Sequence, residues 1–173
     1  TVVIENRPGA SSQIAGELAA RSAPDGHTLL MTSQTLMTSQ MIEGKTYPDL
    51  TKDFAAVSLS ATSPLILVVN PSLPVKSVKD LVALAKAKPD ALSYASTGNG
   101  APTHLAGELF NAMAGVKMTH IPYKGNAPAL TDLIGGHVDV LFNGLTSALP
   151  FIKSGKLRAL AVTSLARAGA LPE

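Results

Sequence analysis

The sequence predicts an α/β fold built around a largely parallel sheet, on three observations. From residue 77 onward, short apolar runs alternate with stretches of helical spacing, as βαβ units require. The run "HTLLMTS" (27–33) is continuously apolar rather than alternating, as in a strand covered on both faces. And with 46% hydrophobic and 15% charged residues over 173 positions, the chain can fill a core or two small lobes.

The elements follow in order. Val2 to Glu5 reads as a short strand, stopped by the proline and glycine of "NRPGA". Ser11 and Ser12 stand where they can cap a helix whose apolar positions are Ile14, Ala15, Leu18 and Ala19. "APDG" (23–26) is a turn into the strand 27–33. Over 34–53 the pattern is mixed: Met37 and Met41 suggest a short helix, and "YPDLTKD" a loop. Residues 54–61 and 64–70 are two further strands joined around Thr62, Ser63 and Pro64.

The prolines of "NPSLPVKS" (70–77) mark a lobe boundary, dividing 1–70 from a second lobe over 71–164. Beyond it, Ser77 caps a helix over 78–88 and a strand follows at 92–95. Helices are expected at 102–114, 126–136 and 145–154, and strands at 117–122, 138–142 and 157–163.

Composition removes several function classes. A net charge of +2 without a basic block argues against a nucleic-acid surface. The absence of cysteine removes disulfides, thiolate chemistry and cysteine-ligated zinc. The glycines match neither GxGxxG nor GxxxxGK[ST], and His27, His104, His120 and His137 show no metal-ligand spacing, so no cofactor is expected. Ser96 lies outside a GxSxG elbow. His120 reads as structural, His104 as a hydrogen-bonding residue of a first helical turn, and Asp132 and Asp139 as a surface and a turn residue. No nucleophile meets a base in this pattern, which favours a binder over an enzyme.

In open α/β sheets ligands sit beyond the carboxyl ends of the strands. That selects "STGNGAPTH" (96–104), "YKGNAP" (123–128), "NGLTS" (143–147) and, in the first half, "SQTLMTS" (33–39). All are polar and nearly uncharged, and each of the first three precedes a helix, whose unpaired N–H groups favour an anion. The loop 96–104 is open to two readings, a plain turn and cap or an anion cradle. The second makes Ser96, Thr97, Asn99, Gly100 and Thr103 the cradle, with Thr97 and Asn99 as side-chain donors and Gly100 allowing close approach.

The blocks "VVIENRPGA", "APDGHTLLMTS", "KDFAAVSL", "LVVNPSLPVKSVKDLVALAKAKP", "LSYASTGNGAPTHLAGELF", "HIPYKGNAPALTDLIGGHVDVLF" and "SGKLRALAVTS" together resemble the Bug-type receptors, the periplasmic substrate-binding proteins of tripartite tricarboxylate transporters. The likeness runs through essentially the whole chain, and it is the ordered set that is specific. It implies a periplasmic-binding-protein-like (Venus flytrap) fold of two βα lobes, a periplasmic location, membrane transporter subunits as partners, and capture of a small carboxylate between the lobes. It further implies that Ser33, Gln34 and Thr35 of the first lobe face Tyr123, Lys124, Asn143 and Gly144. Against the family pattern, a strand and loop are missing before "VVIENRPGA", and 165–173 only opens a return segment. The first lobe is therefore expected to be incomplete, so that the chain either self-associates, pairing or exchanging its first-lobe elements with another copy, or is a fragment of a longer chain. A carboxylate-processing enzyme or a sensor domain on a similar fold is the alternative.

Overall fold

The computed structural model describes residues 1–44 and 48–170, which divide into two compact units: 1–60 together with 99–102, and 61–98 together with 103 onward. In the first unit, α1 (Gln13–Ala20) follows a short turn over Ala10–Ser12. Ser12 does not cap α1 through its side chain, because Ala10, Ser11 and Ser12 all take left-handed backbone conformations. The mixed stretch resolves into α2 (Thr35–Glu43), closed by left-handed Gly44. Gly16 of α1 sits against Leu36 and Pro48, where a Cβ would come within 2.8 Å of the leucine side chain. Gln40 donates to the Pro48 carbonyl at 2.7 Å. The loop expected from Tyr47 begins outside the described residues, and 48–53 forms turns; of the expected return segment, 171–173 likewise lie outside them.

The strands expected at Val2–Glu5, 27–33 and 54–61 do not form. These segments are exposed, with Val2 at 90%, Met31 at 86% and Leu59 at 80%. Apolar, β-branched residues suit a strand only where a neighbour completes the ladder, and none of these segments finds one among the described residues.

The second unit is a five-stranded sheet. Its elements are β1 (Leu65–Val69), α3 (Val78–Ala87), β2 (Ser93–Ser96), α4 (Pro102–Ala114), β3 (Thr119–Pro122), α5 (Asn126–Gly135), β4 (Val140–Gly144), α6 (Leu145–Lys153) and β5 (Arg158–Val162). The strand order is β3-β2-β4-β1-β5. β2, β3 and β4 are parallel, while β1 runs antiparallel to both β4 and β5, so the largely parallel sheet carries one reversed inner strand. Alternation along the strands feeds two cores. Ile66, Val68, Ala95 and Leu141 pack with Leu130, Leu133 and Ala148 of α5 and α6. Leu67, Val69, Tyr94, Val140 and Phe142 pack with Leu81, Ala85 and Phe110 of α3 and α4.

The division between units falls at Ser60/Ala61, before the break expected at residue 70. The reason is visible in the corner itself. Asn70 Nδ2 donates to the carbonyls of Leu133 and Ile134 at 2.7 and 3.1 Å, and Arg158 donates to those of Leu73 and Val75. The prolines turn the chain, but the turn belongs to the sheet unit.

Candidate functional site

Because β2, β3 and β4 are parallel, the loops after Ser96, Pro122 and Gly144 emerge at one edge of the sheet. The reversed β1 brings its amino end to the same edge, with Leu65 opposite Gly144 and its N–H donating to Thr163 Oγ1 at 2.9 Å. β2 lies between β3 and β4, so the 97–98 turn sits between the loops that follow those two strands.

This turn is largely self-satisfied. Ser96 is fully buried, and its Oγ contacts His120 Nε2 at 2.6 Å and the Gly98 N–H and carbonyl at 3.2 Å each. Thr103, also buried, accepts the Thr97 N–H at 2.9 Å and pairs with the Thr97 hydroxyl at 3.1 Å. Ser96, Thr97 and Thr103 are thus brought together as expected, but their polar groups hold the loop's own shape. Asn99 and Gly100 group with the first unit: the Asn99 carbonyl accepts from Ser11 Oγ, and that of Gly100 from Thr38 Oγ1. Gly100 has φ +74°, and a Cβ there would meet the Ser39 backbone at 2.9 Å. The close approach that the glycine allows is to α2.

Ser33, Gln34 and Thr35 form the start of α2, where Ser33 Oγ bonds Thr35 Oγ1 at 2.8 Å and the Gln34 carbonyl accepts from Thr38. Lys124 is exposed. Tyr123 packs against the α5/α6 core and donates its hydroxyl to Asp132 Oδ2 at 2.7 Å. Burial, and then that bond, push the phenol up to about 12. Asp132 is therefore the acceptor for Tyr123 rather than a plain surface residue. Asp139 likewise does more than flank a turn, since Oδ2 accepts both the N–H and the hydroxyl of Ser93.

Asn143 is where the edge keeps an unspent group. It is 2% exposed, and its Oδ1 accepts from the Gly144 N–H at 2.8 Å and from Ser147 Oγ at 3.4 Å. Among the described residues its Nδ2 is buried without a hydrogen-bond partner, and so is Oδ1 of Asn126 in the first turn of α5. Both α5 and α6 begin after glycines, Gly125 and Gly144, with no side-chain cap. Sequence reasoning selected Asn143 and Gly144 but passed over Asn126; an amide directly after a glycine at a helix start was the available signal.

A histidine pair lies behind the edge. His104 stacks on His120 with centroids 4.1 Å apart, and Tyr94 stacks on its other side at 5.0 Å. Tyr94 donates to Glu108, and burial followed by that bond raises its phenol. Burial, then the neighbouring His104, hold the His120 imidazole below its ordinary value, against an opposing pull from Glu108.

Comparison with known proteins gives a consistent result. The family model described as "Tripartite tricarboxylate transporter family receptor" matches residues 1–173. A protein from the tcbD-tcbE intergenic region of Pseudomonas sp. (strain P51) is 38% identical over 172 residues, 99% of this chain and 51% of its own length. Protein BugT of Bordetella pertussis is 38% identical over 174 residues, 99% of this chain and 53% of its own. The chain thus spans about half the length of the curated relatives it matches. Among solved structures, R. palustris Rpa4515 with adipate superposes with a TM-score of 0.92 at 38% identity, over 95% of this chain and 56% of that one. MatC from Rhodopseudomonas palustris with bound malate gives 0.81 at 28% identity, over 95% and 56%. The periplasmic binding protein BugD gives 0.81 at 32%, over 100% and 58%.

Proposed function

Because the chain belongs to the tripartite tricarboxylate transporter family of receptors, we propose that it is a solute receptor that binds a small carboxylate at the carboxyl edge of its sheet. In this reading it works in the periplasm and hands the ligand to the membrane subunits of a tripartite transporter. The observation that carries the reading is Asn143 Nδ2, a buried donor at the carboxyl end of β4 with no partner among the described residues. Leaving such a donor unmet costs about 1–3 kcal/mol, and a carboxylate oxygen is the acceptor that relieves it. The uncapped starts of α5, after β3, and of α6, after β4, add unpaired N–H groups and the positive end of each helix dipole. The solved relatives carrying adipate and malate support the same ligand class.

Two further features favour binding over turnover. Ser96, the serine that meets a histidine, is fully buried, and its Oγ is shared among three contacts inside its own turn. His120 in turn is flanked by His104 and Tyr94, while Glu108 takes the tyrosine hydroxyl.

The experiment is a thermal-shift screen of the full-length protein against dicarboxylates, tricarboxylates, amino acids and aromatic acids, followed by a turnover assay on any hit. Saturable stabilisation by an acid that is recovered unchanged is expected. Stabilisation by none of them, or conversion of the hit, contradicts the reading.

A further inference from the structure

We propose that His120 is a positioning residue for the binding edge: through Ser96 it sets the hydrogen-bond polarity of the 97–98 turn, so that carboxylate affinity strengthens as pH falls. The inference rests on the reading that this edge holds an anion.

Ser96 Oγ has one proton and three contacts: His120 Nε2 at 2.6 Å, and the Gly98 N–H and carbonyl at 3.2 Å each. The Gly98 N–H donates into Oγ in every arrangement. When Nε2 carries no proton, the Ser96 hydroxyl donates to it, and the Gly98 carbonyl receives nothing from Ser96. When the ring is protonated, Nε2–H donates into Oγ, and the hydroxyl proton turns to the Gly98 carbonyl. With the neutral ring's proton on Nδ1, one protonation therefore changes two things at the edge. A carbonyl dipole that repels an anion becomes paired, and a positive charge is placed behind the turn. Both changes favour a bound carboxylate.

The surroundings make the ring a switch rather than a fixed charge. His120 lies on the α4 side of edge strand β3, beside Tyr94 of β2, the one strand that β3 pairs with among the described residues. From α4 it is faced by His104, whose charge opposes its own, and by Glu108, whose charge supports it. Tyr94, held by Glu108, stays uncharged. On the opposite side of β3, Ile121 packs against the α5/α6 core and brings no charge to the ring.

Linkage makes the effect reciprocal: a carboxylate that binds more tightly to the protonated form must raise the His120 midpoint by the same factor. The test uses malate as the probe on the full-length protein. Its affinity is titrated at about pH 7.5 and 5.5 for wild type and His120→Gln, and the His120 midpoint is followed by NMR with and without malate. Wild type is expected to gain at least about fivefold over the variant on acidification, with the midpoint rising by at least about 0.7 pH unit when malate binds. Gln can accept the Ser96 hydroxyl but cannot titrate, so the variant's pH dependence reports the ligand's own ionisation together with every group other than His120, His104 and Glu108 included. Equal slopes in the two proteins, or an unmoved midpoint, overturn the inference while leaving carboxylate binding intact. If neither malate nor any other carboxylate binds at either pH, the site assignment fails first and takes the inference with it. Should His120→Gln not fold, the wild-type midpoint alone decides.

Discussion

Gly107 shows how one residue can fix the centre of this unit. It lies in α4 directly over Tyr94, and a Cβ there would fall 2.2 Å from the ring. Tyr94 is fully buried, stacked on His120 and bonded to Glu108, so it has no free direction of retreat. Gly107→Ala is expected to destabilise the protein by about 1–3 kcal/mol despite the better helix propensity of alanine. Urea denaturation checks this, and an unchanged or raised midpoint contradicts it. The same scale shows what the sequence could and could not convey. The polar, uncharged character of the edge loops was legible in "STGNG" and "NGLTS". Which of their groups stay unpaired was not, because Thr97 meets Thr103 and Ser96 meets His120 only once strand register is set. Gly100 was legible as a special backbone position; that its neighbour is Ser39 of α2 depends on packing across sixty residues of chain, on the order of a loop closure no local pattern encodes.

At the scale of elements, α3 begins as its sequence requires. Ser77 Oγ accepts the Asp80 N–H at 3.1 Å, and Asp80 Oδ2 accepts the Lys76 N–H at 3.0 Å. Hydrogen bonding from the Lys76 N–H first, and from the Ser77 side chain second, holds the Asp80 carboxyl below the usual range. Ser77→Ala is expected to cost about 0.5–2 kcal/mol in chemical denaturation, and a loss below the measurement error contradicts the cap. Where helix and strand patterns were backed by such local signals, as from α3 to β5, expected and observed elements differ only at their ends. The orientation of β1 was not legible, since an apolar run is the same read against a parallel or an antiparallel neighbour. The segments 2–5, 27–33 and 54–61 carry strand-like residues but form no ladder, so propensity alone misplaced them.

For the molecule as a whole, the two units differ in how much backbone is protected. β1 and β4 lie inside the sheet between filled cores, whereas 27–33 and 54–60 are exposed and unpaired in strands. Hydrogen exchange followed by mass spectrometry is expected to be slowest in β1 and β4 and fast in those first-unit segments; equal protection in both contradicts the assignment. Acid acts on the sheet unit through His120. Burial keeps its folded midpoint under the ordinary 6.5, so the folded state binds fewer protons than the unfolded one just below that value. The neutral ring's contribution to stability is complete above 6.5 and is lost as pH falls from there towards the folded midpoint. Without ligand, the melting temperature of wild type is expected to drop more than that of His120→Gln on acidification, as read by calorimetry; parallel curves contradict it.

The most direct test of a carboxylate at this edge is Asn143→Asp in the full-length protein. The aspartate keeps an oxygen for the Gly144 N–H and Ser147 but turns the unspent Nδ2 donor into a repelling charge. Isothermal titration with the best acid from the screen is predicted to show at least tenfold weaker binding, about 1.4 kcal/mol. A variant that melts like wild type and binds the acid with undiminished affinity would contradict the account.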